Sequence, residues 1–318
     1  MGSSRTKMSS RPSVHAGCGE RKGESPSGSV VPFSGLRCAL GLVFALIWSL
    51  NGCAAGKADH YNRAVEQHRR NRLPEAVEGY RQAIRQNPGD PKAQFNLAVI
   101  YQDQGRMDEA GKIYRELVDR HPDYAAAWVN LASIREQAGD HEEAERLFRR
   151  GVEATRDDSA PLSQYGFFLL RRDRPAEAAE VFREALKRDA SCANACFGLG
   201  EIAEKSGERA EALRRYERAA RYNPTDFEAR LRAARIAASL GERPGAIAHM
   251  QAAVALKPDR GDAFLFLGQL LREDGQMKDA ERAVEEAARH GAPVAECNRE
   301  LAVIYRNLAD EAERKGGF

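Results

Sequence analysis

From about residue 57 onward, apolar positions recur at helical spacing. Trp128 stands three places before Leu131 and Phe264 three before Leu267, and the small residues Ala132 and Gly268 follow directly. Spacing of this kind predicts amphipathic α-helices. The pattern also repeats at long range: Ala76, Ala110, Ala144, Ala178, Ala212, Ala246 and Ala280 share one interval of 34 residues without insertion. Four places after each Ala stands a bulky residue: Tyr80, Tyr114, Phe148, Phe182, Tyr216, Met250 and Val284. Five places before each Ala stand Asn71, Gly105, Gly139, Asp173, Gly207, Gly241 and Gly275, residue types that accept the left-handed backbone at a helix C-terminus. Each period therefore reads as a first helix, a tight turn, and a second helix. Small Ala lets the two helices approach, and the bulky residue one turn on fills the groove beside it. Pro88, Pro122, Pro224 and Pro258 close four of the periods.

Period, small crossing residue and terminal Pro together resemble the tetratricopeptide repeat. The expected fold is all-α: a right-handed superhelical solenoid of tetratricopeptide helix pairs with a C-terminal capping helix. Seven units are expected over residues 57–294, framed as 57–90, 91–124, 125–158, 159–192, 193–226, 227–260 and 261–294. Residues 295–318 supply the cap and tail, with Leu301, Ala302 and Tyr305 in the places of a first helix. The first unit departs most, with Arg63, Ala64 and Gln67 where the family uses Leu, Gly and Tyr. Units three, four and seven lack the terminal Pro, and the nearby Pro161 and Pro293 are expected to shift those turns.

The preceding residues read as a delivery segment. Residues 1–36 are rich in Ser, Gly and Pro and too polar to bury a core. Arg37 is followed by the chargeless apolar run Cys38 to Leu50, the composition of a signal-peptide core. Leu50, Asn51, Gly52 and Cys53 then resemble the lipobox of bacterial lipoproteins. That resemblance implies removal of residues 1–52, acyl chains on Cys53, a short tether over 53–56 and retention on a membrane. Ala54 stands where an Asp would signal inner-membrane retention, which implies an outer-membrane lipoprotein facing the periplasm. An uncleaved anchor is the alternative, because no charge intervenes between Arg37 and Lys57. The long polar stretch before Arg37 places the expected translation start nearer Val30 or Val31.

Charge narrows the partners. The 318 residues carry 49 basic and 47 acidic side chains, a net charge of +2 that offers a nucleic-acid backbone nothing to exploit. Cys192 and Cys196 read as buried small apolar residues, the alternative at their spacing being a metal site or a strained disulfide, and Cys297 lies in a different unit, out of easy reach of both. His60, His68, His121, His141, His249 and His290 lack ligand spacing; His141-Glu142-Glu143 has no second His. Neither a phosphate loop nor a nucleophile elbow is present. No metal, cofactor, catalytic residue or small-molecule substrate is expected. Carboxylates spaced with Arg along helices, such as Glu143 with Arg146 and Glu211 with Arg214, read as solvated pairs.

Function is therefore expected on a surface. In the repeat family the first helices line a concave groove that holds partners. Its fifth places here are Tyr61, Phe95, Val129, Ser163, Phe197, Leu231 and Leu265, and Val65, Val99 and Phe167 occupy ninth places. This stripe reads equally as packing between repeats or as ligand contact. Asn62, Asn96 and Asn130 stand beside it, where the family uses Asn to grip an extended peptide backbone. Arg232 and Arg235, near Glu201, Glu204 and Arg272, make the second half more charged. The Lys and Asn set that clamps chaperone C-termini is missing, with Tyr61 and Val65 in its first places. The expected role is an envelope scaffold or adaptor for proteins or peptides, as in the secretin pilotins of type IV pili. Alternatives are an adaptor for peptidoglycan hydrolases, or an enzyme built on a helical-repeat scaffold.

Overall fold

A computed structural model describes residues 60–316. Every regular element among them is a helix. In chain order these are α1 (residues 60–69), α2 (Leu73–Gln86), α3 (Pro91–Asp103), α4 (Met107–Arg120), α5 (Ala125–Gln137), α6 (His141–Ala154), α7 (Ala160–Arg171), α8 (Pro175–Arg188), α9 (Ala193–Lys205), α10 (Arg209–Tyr222), α11 (Phe227–Ser239), α12 (Arg243–Leu256), α13 (Gly261–Glu273), α14 (Met277–Arg289) and α15 (Val294–Gly316). The fold class is all-α, as expected. The helices fall into two compact units, one ending at Ile113 and one beginning at Tyr114, with the division inside α4. The apolar run from Cys38 and the lipobox residues lie outside the described residues.

Within the second unit each helix from α5 to α15 packs on the next, and the first helix α7 also touches the first helices α5 and α9 on either side of it. This is the consecutive helix-pair packing of a solenoid. The turns inside the pairs follow the permissive places. Gly105, Gly139, Gly207, Gly241 and Gly275 all have positive φ, and so do Asn71 (57°) and Asp173 (56°). At Gly105 the left-handed turn lets Arg106 N–H reach the Tyr101 carbonyl at 2.8 Å, closing α3. Asp90, Asp140 and Asp226 cap α3, α6 and α11 through side-chain oxygens that accept from Lys92, Glu143 and Ala229 N–H.

Second helices stop two residues before Pro88, Pro122, Pro224 and Pro258. Where Pro is absent other groups close the helix. Thr155 Oγ1 donates back to the Gly151 carbonyl at 2.6 Å. Arg188, from the following unit, donates to the carbonyls of Val152, Thr155 and Asp158 at the end of α6. The expected shifts appear: α7 opens at Ala160, one place later than the frame, and α15 opens at Val294, one place earlier.

All seven crossing Ala residues are fully buried, and so are the bulky residues that follow them. The fit is closest around Phe182. A Cβ on Gly166 would stand 2.5 Å from Phe182 Cε1, and one on Gly198 would overlap the ring more deeply still. Gly200 stands in the same relation to Tyr216, at 2.8 Å. The free thiols of Cys192, Cys196 and Cys297 are buried apolar residues, and burial raises the pKa of Cys196 and Cys297.

One polar cluster ties α6 to α7 and to Arg174, the residue that precedes α8. Glu145 accepts from Arg174, Arg149 and the Tyr165 hydroxyl, at 2.7, 2.8 and 2.8 Å. These bonds, with Arg174 foremost, hold its pKa down at about 2, while burial and the carboxylate hydrogen bond push the Tyr165 phenol up to about 12.

Two outcomes are expected. Gly198→Ala gains helix propensity but drives a methyl into Phe182, so the unfolding midpoint should fall, by about 1–2 kcal/mol net. Phe182→Leu in the same chain should recover part of that loss in a urea titration. Glu145→Gln should cost about 1 kcal/mol at pH 7. Because the folded carboxylate titrates below its usual 4.5, its contribution is present above that pH and lost as pH falls toward 2. The urea midpoints of wild type and Glu145→Gln should therefore differ at neutral pH and converge at low pH.

Candidate functional site

The apolar stripe of the first helices is interior. Phe95, Val99, Val129, Phe167, Phe197, Leu231 and Leu265 retain only 4–9% exposure, and Ser163 is fully buried. This corrects the reading of the stripe as ligand contact: these side chains pack one first helix against its neighbours. Phe167 stacks edge-on against Phe182, with ring centroids 5.1 Å apart, and Phe197 lies 5.3 Å from Tyr216. Only Tyr61 and Val65, in the first unit, are half-exposed members of the stripe.

The polar places beside the stripe remain accessible. In the compact unit that ends at Ile113, Asn62 is exposed, while Asn96 is half-buried and donates from Nδ2 to the Tyr61 hydroxyl at 3.1 Å. A cavity of about 230 Å³ opens beside them, lined by Tyr61, Asn62, Gln86, Asn87 and Asp90. In the compact unit that begins at Tyr114, Asn130 donates from Nδ2 to the Tyr114 hydroxyl at 3.0 Å. Asn130 is thus committed to Tyr114, and Asn96 is engaged with the hydroxyls of both Tyr61 and Tyr80, so that of the three amides only that of Asn62 is exposed.

Further along the second unit, ion pairs join one first helix to the next. Glu136 on α5 takes Arg171 of α7 in a two-bond fork, both at 2.6 Å. Glu204 on α9 accepts from Arg232 of α11 at 3.0 Å and from the Tyr216 hydroxyl at 2.6 Å. Arg232 also binds Glu228 at 2.9 Å. Desolvation opposes the Arg232 charge, but these carboxylates outweigh it and raise its pKa. Arg272 of α13 pairs with Glu300 of α15. Burial and the Glu204 hydrogen bond raise the Tyr216 pKa, so the phenol stays a donor. Arg235, one turn along α11 from Arg232, is exposed and makes no hydrogen bond or ion pair among the described residues.

Glu136, Arg171 and Glu300 were missing from the sequence-predicted surface. A signal for two of these pairs was present: Glu204 and Arg232 stand 28 residues apart, as do Arg272 and Glu300, with the charges reversed. Each pair joins the twelfth place of one unit to the sixth of the next. Among the described residues no group of three or more His, Cys, Asp or Glu side chains is placed to hold a metal ion.

Family models match successive stretches of the chain. A TPR repeat model covers residues 66–105, and two Tetratricopeptide repeat models cover 91–157 and 231–296. The model of the Cilia and flagella-associated protein 70 middle TPR-like domain covers 128–233. No curated protein matches the sequence. Among solved structures, yeast Tom70 superposes with a TM-score of 0.59 at 14% identity, covering 86% of this chain and 59% of that one. The Cut9-Hcn1 hetero-tetramer of APC/C gives 0.54 at 11% identity, over 73% and 48%. Pseudomonas aeruginosa pilF gives 0.51 at 20% identity, over 65% and 94%. At these identities the likeness is one of fold. Repeat models that follow one another along the chain, with helix pairs stacked in the order they predict, make this a tetratricopeptide repeat protein, a scaffold suited to protein–protein interaction.

Proposed function

We propose that this chain is a membrane-anchored scaffold of the bacterial envelope that binds extended segments of other proteins along its first helices and performs no catalysis. The supporting observation is the division of labour among the polar groups of those helices. Glu136, Arg171, Glu204, Arg232, Arg272 and Glu300 already satisfy one another. Among the described residues the amide of Asn62 and the guanidinium of Arg235 are exposed and uncommitted, with the half-buried Asn96 and Asn130 beside them already oriented by tyrosine hydroxyls. Amides can pair with the backbone of an extended segment, and Arg235 offers a site for an acidic side chain on it. The buried stripe beneath supplies rigidity, so a partner meets side chains already held in place.

The anchor rests on sequence. Leu50, Asn51, Gly52 and Cys53 follow a chargeless apolar run and precede the first repeat directly, the place a lipidated N-terminus needs. Acyl chains on Cys53 would hold the repeats on the periplasmic side of the outer membrane. There the scaffold would assist assembly of an envelope complex, such as a pilus or secretion apparatus.

Two experiments bear on the two halves of this reading. In partner capture from membranes expressing the full chain, Asn62→Ala/Asn96→Ala and, separately, Arg235→Glu should each reduce recovery about tenfold; recovery equal to wild type in both would remove the first helices as the binding face. Metabolic lipid labelling should mark the wild type and leave Cys53→Ala unlabelled. Label on the variant would dismiss the anchor.

A further inference from the structure

The last described helix keeps a face that every complete unit covers. In α13 the crossing residue Gly268 and Leu271, three places on, are buried beneath α14. The same places in α15 are Ala302 and Tyr305; Ala302 is exposed and Tyr305 is 49% exposed, against 3% for Leu271. Among the described residues no second helix crosses α15. Its opposite side is well seated, with Cys297 and Ile304 buried, Leu301 and Leu308 half-buried, and Arg272 holding Glu300. The Tyr305 hydroxyl meets Glu281 on α14, which fixes one edge of an otherwise open ring.

The open face has the pattern of a helix-pairing seam. Asn298, Ala302, Tyr305, Ala309 and Ala312 alternate at four- and three-residue spacing, and all five are exposed. That is a heptad repeat with mostly small residues, which permits close approach of a second helix. Along one flank, at seven-residue spacing, stand Arg299, Arg306 and Glu313, all exposed. Arg299 reaches only the Ala295 carbonyl, at 3.3 Å, and Arg306 and Glu313 make no ion pair among the described residues.

We infer that α15 pairs antiparallel with α15 of a second copy of this chain, burying the seam Asn298–Ala302–Tyr305–Ala309–Ala312 in a two-fold symmetric dimer. The seam is complementary to its own reversal. Tyr305 comes over Ala309 of the second copy and Ala302 over Ala312, so that each large residue meets a small one, as at the crossings inside the repeats. The flank is complementary as well. Arg299 comes beside Glu313 of the second copy, and the two-fold axis makes that contact twice. Arg306 meets its own mate near the axis, the one unfavourable contact in the pairing. A foreign helix would have to match this order of sizes and charges, whereas a second copy matches it by symmetry.

The test is sedimentation of the full chain in mild detergent over a concentration series. Wild type should dimerise below about 100 μM. Ala302→Glu/Ala309→Glu, two exposed positions where Glu keeps helix propensity, should weaken dimerisation at least about tenfold with unchanged helical circular dichroism. Arg299→Glu should weaken it about fivefold, and adding Glu313→Arg should restore it, because the pair is only exchanged. Arg306→Ala should tighten the dimer. A wild type that stays monomeric to about 100 μM, or a dimer that none of these changes moves, would overturn the inference.

Discussion

Close approach of two helices at a residue too small to hold them apart is the interaction on which the rest of this structure depends. A helix pair of this size cannot bury its apolar stripe alone, so each must lend one face to its neighbour. Seven buried Ala residues at one interval set that approach inside the pairs. Gly166, Gly198, Gly200 and Gly268 extend the same rule to first helices, where even a methyl would strike Phe182, Tyr216 or Val284. Ring volume and missing Cβ volume are thus two sides of one fit, which explains why the bulky places take Phe, Tyr, Met or Val while the spacing never changes.

Once the crossings fix the interval, the polar groups between units have little freedom. The sixth place of a unit looks back toward the second helix and the twelfth place of the unit before it. Asn130 stands where a Tyr114 hydroxyl needs a partner, and Arg232 stands where Glu204 and Tyr216 do. Opposite Phe182, which has no hydroxyl to satisfy, the same place is Gly198. Satisfaction of buried polar groups therefore selects these residues in matched sets. The exposed amide of Asn62 and the guanidinium of Arg235 lie outside these matched sets.

Much of this was legible before the structure. The helix order, the turns at Gly105 and its equivalents, and the crossings at Ala76 onward follow from period and residue type alone. The shifts at Pro161 and Pro293 were legible too, because proline acts on its own chain segment. The stripe from Phe95 to Leu265 was ambiguous: one amphipathic pattern serves both packing and ligand contact, and only its burial separates them. Ion pairs such as Glu136 with Arg171 escaped notice because they join different units, and side-chain reach across a stack is not written in the spacing along one helix. Arg188 closing α6 escaped for the same reason.

Together these features describe a scaffold whose order is carried by nearest neighbours, with rigid first helices underneath a sparse set of uncommitted polar groups. Such an assembly should answer injury locally. Native-state hydrogen exchange on the full chain with Ala246→Leu, which overfills the crossing of α11 and α12, tests this most directly. The account predicts loss of amide protection in α11 and α12, a smaller loss in α10 and α13, and unchanged protection in α5 and α6. An even loss across all of these helices, or no loss at α11 and α12, would contradict it.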